Sequence, residues 1–472
     1  MLLNSMEKTI VRRAKLLNIL YCKKEDVNKL SFVLGCTPLT IVSDVKFLKQ
    51  TLKIPIHEPT EGIYTLKPGK KHLEKYIHRL FKTSTFLKFL DYFFIEDAKI
   101  EFLDFIRQQK VSTAKGYRMR QEISKCLSEM GLALIDNYIY GNPLLLRVLK
   151  AELTINFGMN LIVLDEVLKE ASLNLLKELE AKLNLTFTSQ ERLLYQLLLQ
   201  QSILKTNWQK KHFTTNTQEL LKANLYPACY EKLLDKHFKT YWPKSQIEYE
   251  KQYAIIAFLI INTHVFETSL PEQLAKKNQI TFLKLASVKE LIKEFSVVFD
   301  VDEAYLQYFN TALYIYVRDA LLGIQNILNA GVISVETPYT TNYMYSKLKD
   351  VIEHWNQERF KLSDTYADTL YKCLVSIMTT KYYKNVVIIS EKLVDALFLK
   401  DYIAVFSKHK LGKIEIINDE THPLPSVHRL QTLFIIDKNW PQKMLTPVEN
   451  VMYVTFPLGN EQIFEILKQL LK

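Results

Sequence analysis

Along residues 8–67 the hydrophobic positions recur at helical spacing three times and then switch to short runs. Val11, Ala14, Leu17, Leu20 and Tyr21 fall on one face of a first helix. A shorter helix over 24–34 follows, with Val27, Leu30 and Val33 or Leu34 turned inward. Gly35-Cys36-Thr37-Pro38 then breaks the pattern. Glycine permits a tight turn, Thr37 is suited to cap a helix, and Pro38 falls at the first helical position, where its missing N–H costs nothing. The third helix buries Ile41, Val45 and Leu48 and leaves Leu39, Val42, Ser43, Lys46 and Lys49 outside. Ile54-Pro55-Ile56 and Ile63-Tyr64-Thr65-Leu66, on either side of Glu58-Pro59-Thr60-Glu61-Gly62, predict a β-hairpin.

The same order returns over 84–148. Phe86, Leu87, Phe89 and Leu90 open a helix, residues 100–108 make a second, and Val111-Ser112 supplies a turn and a cap. A third helix over 114–127 turns Met119, Ile123 and Leu127 inward and Lys115, Arg118, Gln121, Glu122 and Lys125 outward. Two apolar runs, 131–135 and 138–140, meet at Asp136-Asn137, a hairpin signal. Gly141-Asn142-Pro143 closes the module and a new helix starts at Leu144.

From 150 to 382 the pattern is helical almost throughout, with apolar spacing at 193–203, 253–266, 306–328, 345–355 and 366–380. A loose internal similarity divides this stretch into two bundles. The period changes again after 383. Continuous apolar runs at 385–389, 413–417, 432–436 and 451–454, with helices over 391–399 and 459–471, predict a small α/β domain on a buried, partly parallel sheet. The expected division is 1–70, 71–150, 151–272, 273–382 and 383–472. With 11 glycines and 14 prolines in 472 residues, the chain is expected to be mostly α.

Charge separates the regions further. Residues 1–150 hold 26 Lys and Arg against 15 Asp and Glu, whereas the other 322 residues hold 36 of each. The whole formal excess of +11 therefore lies in the first third. Concentrated there, it matches a phosphate backbone better than a general need for solubility. A membrane-surface patch would want a basic helix with a broad unburied apolar face, and none stands out. The most membrane-like run, 253–261, is less than half a bilayer span and reads as a buried helix. No signal-peptide pattern opens the chain, so a cytoplasmic protein is expected.

Helix, glycine turn and capped helix form the helix-turn-helix grammar, in which the capped helix enters the major groove. Each module with its hairpin thus reads as a winged helix-turn-helix domain. The candidate DNA contacts are Thr37, Leu39, Thr40, Ser43, Lys46 and Lys49 in the first module. In the second they are Ser112, Lys115, Tyr117, Arg118, Gln121 and Lys125. Arg and Gln make bidentate bonds to guanine and adenine edges, so the second helix is expected to carry most of the specificity. The chemistry of an enzyme is missing: His212, His237, His264 and His354 stand apart from one another and from paired carboxylates. The five cysteines, Cys22, Cys36, Cys126, Cys229 and Cys373, show neither disulfide nor zinc spacing. No catalytic residue, metal or cofactor is expected.

The order of two winged helices, two helical bundles and a small α/β domain resembles the Mga/AtxA family of bacterial virulence and sugar-responsive transcription regulators. The stretches that carry it locally are LGCTPLTIVSDVKFL at 34–48, VSTAKGYRMRQEISKCL at 111–127 and YIYGNPLLLR at 138–147. The resemblance implies that the bundles are PRD-like, that is, phosphotransferase-system regulation domains. It implies that the tail is EIIB-like and contributes to a homodimer or higher oligomer. Expected partners are double-stranded DNA, a second copy of the chain and RNA polymerase, with no membrane. The sequence departs from the family where phosphorylated groups are expected. Ser189-Gln190-Glu191, Asn310-Thr311 and Ile377-Met378-Thr379 stand near the positions of regulatory histidines, and Ser390 stands where an EIIB enzyme has its cysteine. The competing readings are an architectural DNA binder that oligomerises along DNA and a phosphotransferase component with a vestigial DNA arm.

Overall fold

Thr37 and Ser112 start helices where the caps predict them. The structure is a computed structural model. It describes residues 2–66, 73–95, 100–162, 165–202, 213–261, 270–299, 310–328, 343–356, 385–406, 413–418, 432–440, 451–459, 462, 463, 465 and 466. The described chain is mostly helical, with a small sheet near the C-terminus. It divides into two compact units, Met1–Leu161 with Asn326–Thr337 and Ile162–Gln325 with Pro338–Lys472. The boundary expected at 150 falls inside a helix, Pro143–Phe157, that caps on Asn142 and ends at Gly158. The boundaries expected near 70 and 382 lie outside the described residues.

The first unit opens with α1 (Leu2–Ser5), α2 (Lys8–Cys22), β1 (Glu25–Asp26), α3 (Val27–Leu34) and α4 (Pro38–Gln50). The hairpin strands β2 (Ile56–Thr60) and β3 (Ile63–Leu66) follow, in an antiparallel sheet ordered β1-β3-β2. The helix expected from residue 24 instead begins at Val27. Glu25 and Asp26 pair with Tyr64 and Ile63, and the Asp26 carboxylate caps α3 by accepting from the Asn28 N–H at 2.7 Å. An aspartate that bonds its own backbone two residues on favours a helix start over a helix interior. Leu30 is buried and Leu34 half-buried, but Val33 points out at 49% exposure, so of the two alternatives at the end of α3 it is Leu34 that turns inward. The hairpin turn is also shorter than expected: Glu58, Pro59 and Thr60 belong to β2, leaving Glu61-Gly62 between the strands.

In the second half of this unit α5 (Leu73–Phe81), which the pattern did not predict, precedes α6 (Thr85–Phe94), α7 (Phe102–Gln108) and α8 (Thr113–Glu129). Then come β4 (Leu132–Ile135), β5 (Tyr138–Gly141) and α9 (Pro143–Phe157). Aromatic rings build the core, with Tyr92 stacked on Phe105 at 4.3 Å and Phe89 edge-on to Phe105 at 4.9 Å. One carboxylate joins the two halves. Glu7, just before α2, accepts from the Ser84 hydroxyl at 2.7 Å and from the Thr85 and Phe86 N–H groups at 2.6 and 3.2 Å. Those are unsatisfied donors at the start of α6, where a negative charge is favoured.

A second carboxylate fixes α4. Asp44 is the one buried acid of that helix, and its two oxygens each accept a bond of 2.7 Å, from Arg12 Nε and Arg13 Nε on α2. The bond to Asp44 pushes the Arg12 pKa above its ordinary value against the opposing cost of burial. The Arg13 guanidinium also lies 3.7 Å over the Phe47 ring. Ala14, Leu17 and Leu20 of α2 and Ile41 and Leu48 of α4 are all at zero exposure.

The second unit contains α10 (Glu166–Leu183), α11 (Ser189–Gln200), α12 (Thr215–Lys222), α13 (Cys229–Phe238), α14 (Ile247–Ile261), α15 (Glu272–Leu283) and α16 (Ala286–Phe299). It continues with α17 (Asn310–Leu322) and α18 (Tyr343–Asn356). Every residue from Tyr253 to Ile261 in α14 is buried, which explains its apolar run. Among the described residues no single helix is long and apolar enough to cross a membrane. His237 bonds Glu178 at 3.0 Å and His354 pairs with Glu294 at 2.7 Å. The helix expected over 366–380, with the candidate position at 377–379, lies outside the described residues, as do His212 and His264.

The tail comprises β6 (Asn385–Ile389), α19 (Leu393–Phe406), β7 (Lys413–Ile417), β8 (Thr432–Asp437) and β9 (Val451–Val454), ordered β7-β6-β8-β9. All described ladders are parallel, not partly so as expected. Val386, Ile388, Leu433 and Ile435 pack on one face and Val387, Ile389, Phe434 and Ile436 on the other, so both faces are covered. The helix starts at Leu393, later than the expected 391, because the Ser390 hydroxyl first accepts from the Lys392 N–H at 3.0 Å. Ser390 is fully buried and donates to Asp437 Oδ2 at 3.0 Å, and burial pushes the Asp437 carboxyl up. Of the last expected helix, Gly459 lies outside helix, and residues 462, 463, 465 and 466 are described and helical.

Two substitutions test this packing. Asp44→Asn leaves two arginines facing one neutral group and is expected to lower stability by about 2–4 kcal/mol in urea unfolding, the arginines being partly solvated. A loss below about 0.5 kcal/mol would mean that the pair does not hold α4. Gly116→Ala favours the helix by roughly 1 kcal/mol in isolation. Here a methyl would meet Ile106 Cδ1 and Cγ1 at 2.5 and 2.6 Å, and Ile106 is 1% exposed. The net expectation is destabilisation by about 1–3 kcal/mol, and a stabilised variant would show that α7 and α8 are less tightly set.

Candidate nucleic-acid interface

The candidate contacts of the first module sit on α4 and its cap. Between α3 and α4 the chain turns by 100° over three residues, with Gly35 in the left-handed region at φ 60°. Thr37 is exposed and its hydroxyl accepts from the Thr40 N–H at 3.3 Å. The two threonine hydroxyls lie 2.9 Å apart, so Thr40 is partly turned back on the cap and is half-buried. Leu39, Ser43, Lys46 and Lys49 are all exposed. With Val42 they form one stripe along the outer side of the helix, opposite Ile41, Val45 and Leu48. Burial pushes the thiol of Cys36, in the turn, above its ordinary pKa.

The second module repeats this arrangement with other side chains. Ser112 is exposed and accepts from the Lys115 N–H at 3.3 Å, the same bond that Thr37 makes. Matching the two caps pairs buried Ile41 with Gly116, Asp44 with Met119 and Leu48 with Ile123. The outward positions pair Leu39 with Ala114, Val42 with Tyr117, Ser43 with Arg118 and Lys46 with Gln121. Lys115, Tyr117, Arg118, Gln121 and Lys125 are exposed, and the Tyr117 ring lies edge-on to Phe102 at 5.5 Å, which fixes its direction. Thus the stripe on α8 has a cation, Lys115, in its first turn and an amide, Gln121, further on, whereas that on α4 is apolar first and cationic later.

Several residues that matter to these surfaces were not among the candidates. Arg120 turns sideways and donates from Nε to Asn137 Oδ1 at 2.9 Å, tying α8 to the hairpin. That hairpin turns on Asp136 and Asn137 with φ of 47° and 64°, the pair of left-handed residues its tight turn needs. Arg12, Arg13 and Asp44 orient α4 from behind. The hairpins themselves offer little to a phosphate backbone. The first exposes Glu58 and Glu61, and the tip of the second is Asp136-Asn137.

Among the described residues no three His, Cys, Asp or Glu converge to hold a metal ion. Among the described residues Cys36, Cys126 and Cys229 are free thiols, and burial pushes that of Cys126 up to about 11. Compared with known families and with curated proteins, the chain matches no family model and no curated protein.

Proposed function

We propose that this chain is a sequence-specific, DNA-binding transcription regulator whose first unit carries two winged helix-turn-helix modules. The observation that carries the reading is the repeat: two helices with the same side-chain cap and the same buried phase, each presenting an outer stripe. They lie in the first third of the chain, whose excess of positive charge equals that of the whole chain. A 100° turn over three residues is the geometry of a helix pair that sets its second helix into a major groove. On this reading Arg118 and Gln121 read base edges, and Lys46, Lys49, Lys115 and Lys125 meet phosphates. The helices of the second unit are PRD-like bundles and the tail is an EIIB-like domain, in which Ser390 serves the packing of the sheet and not phosphotransfer. Self-association through that tail, to a homodimer or larger, would raise the effective concentration of the DNA-binding arms. RNA polymerase is the further partner of such a regulator.

The competing reading, an architectural binder that coats DNA, differs in specificity. The test is equilibrium binding of the full chain to a duplex it selects from random sequence and to a random duplex, across a salt series. Four phosphate contacts predict a fall of about a hundredfold between 50 and 200 mM salt. Arg118→Ala should cost about 1–3 kcal/mol on the selected duplex and little on the random one. Lys46→Ala should weaken both equally and reduce the salt slope by about one. A uniform loss from Arg118→Ala would favour the architectural binder, and salt-independent binding would remove the DNA reading altogether.

A further inference from the structure

Leu39 is 81% exposed and Val42, one turn further along α4, is 44% exposed, while Phe32 at the end of α3 reaches 89%. One exposed apolar side chain is ordinary. Two at i and i+3, on a helix whose opposite side is fully packed, make a surface shaped to meet something. Charge narrows what that is. Asp44 is the only acid in α4, and Arg12 and Arg13 hold it behind the helix, so the exposed stripe carries no carboxylate. Beyond Leu39, Val42 and Ser43 the stripe continues as Lys46 and Lys49. A fitting partner presents apolar groups to the start of the helix and negative charge to its end.

Double-stranded DNA has that arrangement in its major groove, where the C5 methyl of thymine projects from the base edge and phosphates line the rim. The N-terminal part of a recognition helix is also the part that reaches the bases. We propose that α4 reads the 5-methyl groups of thymine through Leu39 and Val42, with Lys46 and Lys49 on the flanking phosphates. This rests on the DNA-binding reading above and deepens it. The two modules then share the recognition of sequence, α4 selecting thymine by apolar contact and α8 selecting purine edges through Arg118 and Gln121.

Replacing thymine by deoxyuridine removes the methyl and leaves base pairing and charge unchanged. The experiment compares the full chain on its selected duplex and on the same duplex made with deoxyuridine. Wild type should bind the uracil duplex roughly fourfold more weakly for each thymine contacted, the value of one buried methyl group. Leu39→Ala and Val42→Ala should bind the thymine duplex more weakly and lose the distinction. Both sites are exposed and alanine favours a helix, so the fold is kept. Arg118→Ala should weaken both duplexes and keep their ratio. Equal binding of wild type to the two duplexes, with specific binding intact, overturns the methyl reading and leaves the DNA reading standing. If Leu39→Ala changes self-association in light scattering and leaves the ratio unchanged, the stripe docks protein and the inference falls. Failure of the full chain to bind any duplex overturns both readings.

Discussion

Burying Asp44 in the middle of α4 is sustainable because Arg12 and Arg13 each place a guanidinium N–H donor 2.7 Å from one of its oxygens. An unpaired carboxylate there would cost several kcal/mol, and either arginine alone would leave one oxygen unmet. The pair of bonds from α2 fixes α4 in rotation as well as in position. With Asp44 pointing back, Ile41, Val45 and Leu48 must face the core, and Leu39, Val42, Ser43, Lys46 and Lys49 must face out. Every property ascribed to the first candidate surface depends on that phase.

The second module reaches the same phase by other means. Met119 stands where Asp44 does, and α8 is set by close packing of Gly116 against Ile106 and by the bond from Arg120 to the hairpin turn. Charge pairing in one and steric fit in the other lead to outer stripes in the same register. Glu7 makes the two modules parts of one unit by capping α6 from the start of α2. A stripe in one register on two helices of one body is what lets two different chemistries, apolar on α4 and polar on α8, address one extended ligand in the proposed reading.

Much of this architecture was legible in the sequence because local physics sets it. Thr37-Pro38 and Ser112 announce helix starts, the apolar spacing fixes which sides are buried, and Asp136-Asn137 marks a turn that only left-handed backbone closes. The tail strands were legible as unbroken apolar runs, since a sheet covered on both faces has no polar side to alternate. What was not legible depends on partners distant in sequence. Nothing near Asp44 indicates that Arg12 and Arg13, 32 and 31 residues earlier, will bury it. A two-residue strand such as Glu25–Asp26 has no period of its own and exists because β3 pairs with it.

The most direct measurement of whether α4 and α8 face DNA is a lysine-modification footprint of the full chain with and without its selected duplex. Lys46, Lys49, Lys115 and Lys125 are exposed and react freely when the chain is alone. DNA should protect these four, while exposed lysines of the second unit such as Lys236 and Lys293 keep their reactivity. Protection confined to the second unit, or unchanged reactivity on α4 and α8 under saturating DNA, would contradict the DNA-binding reading of both helices.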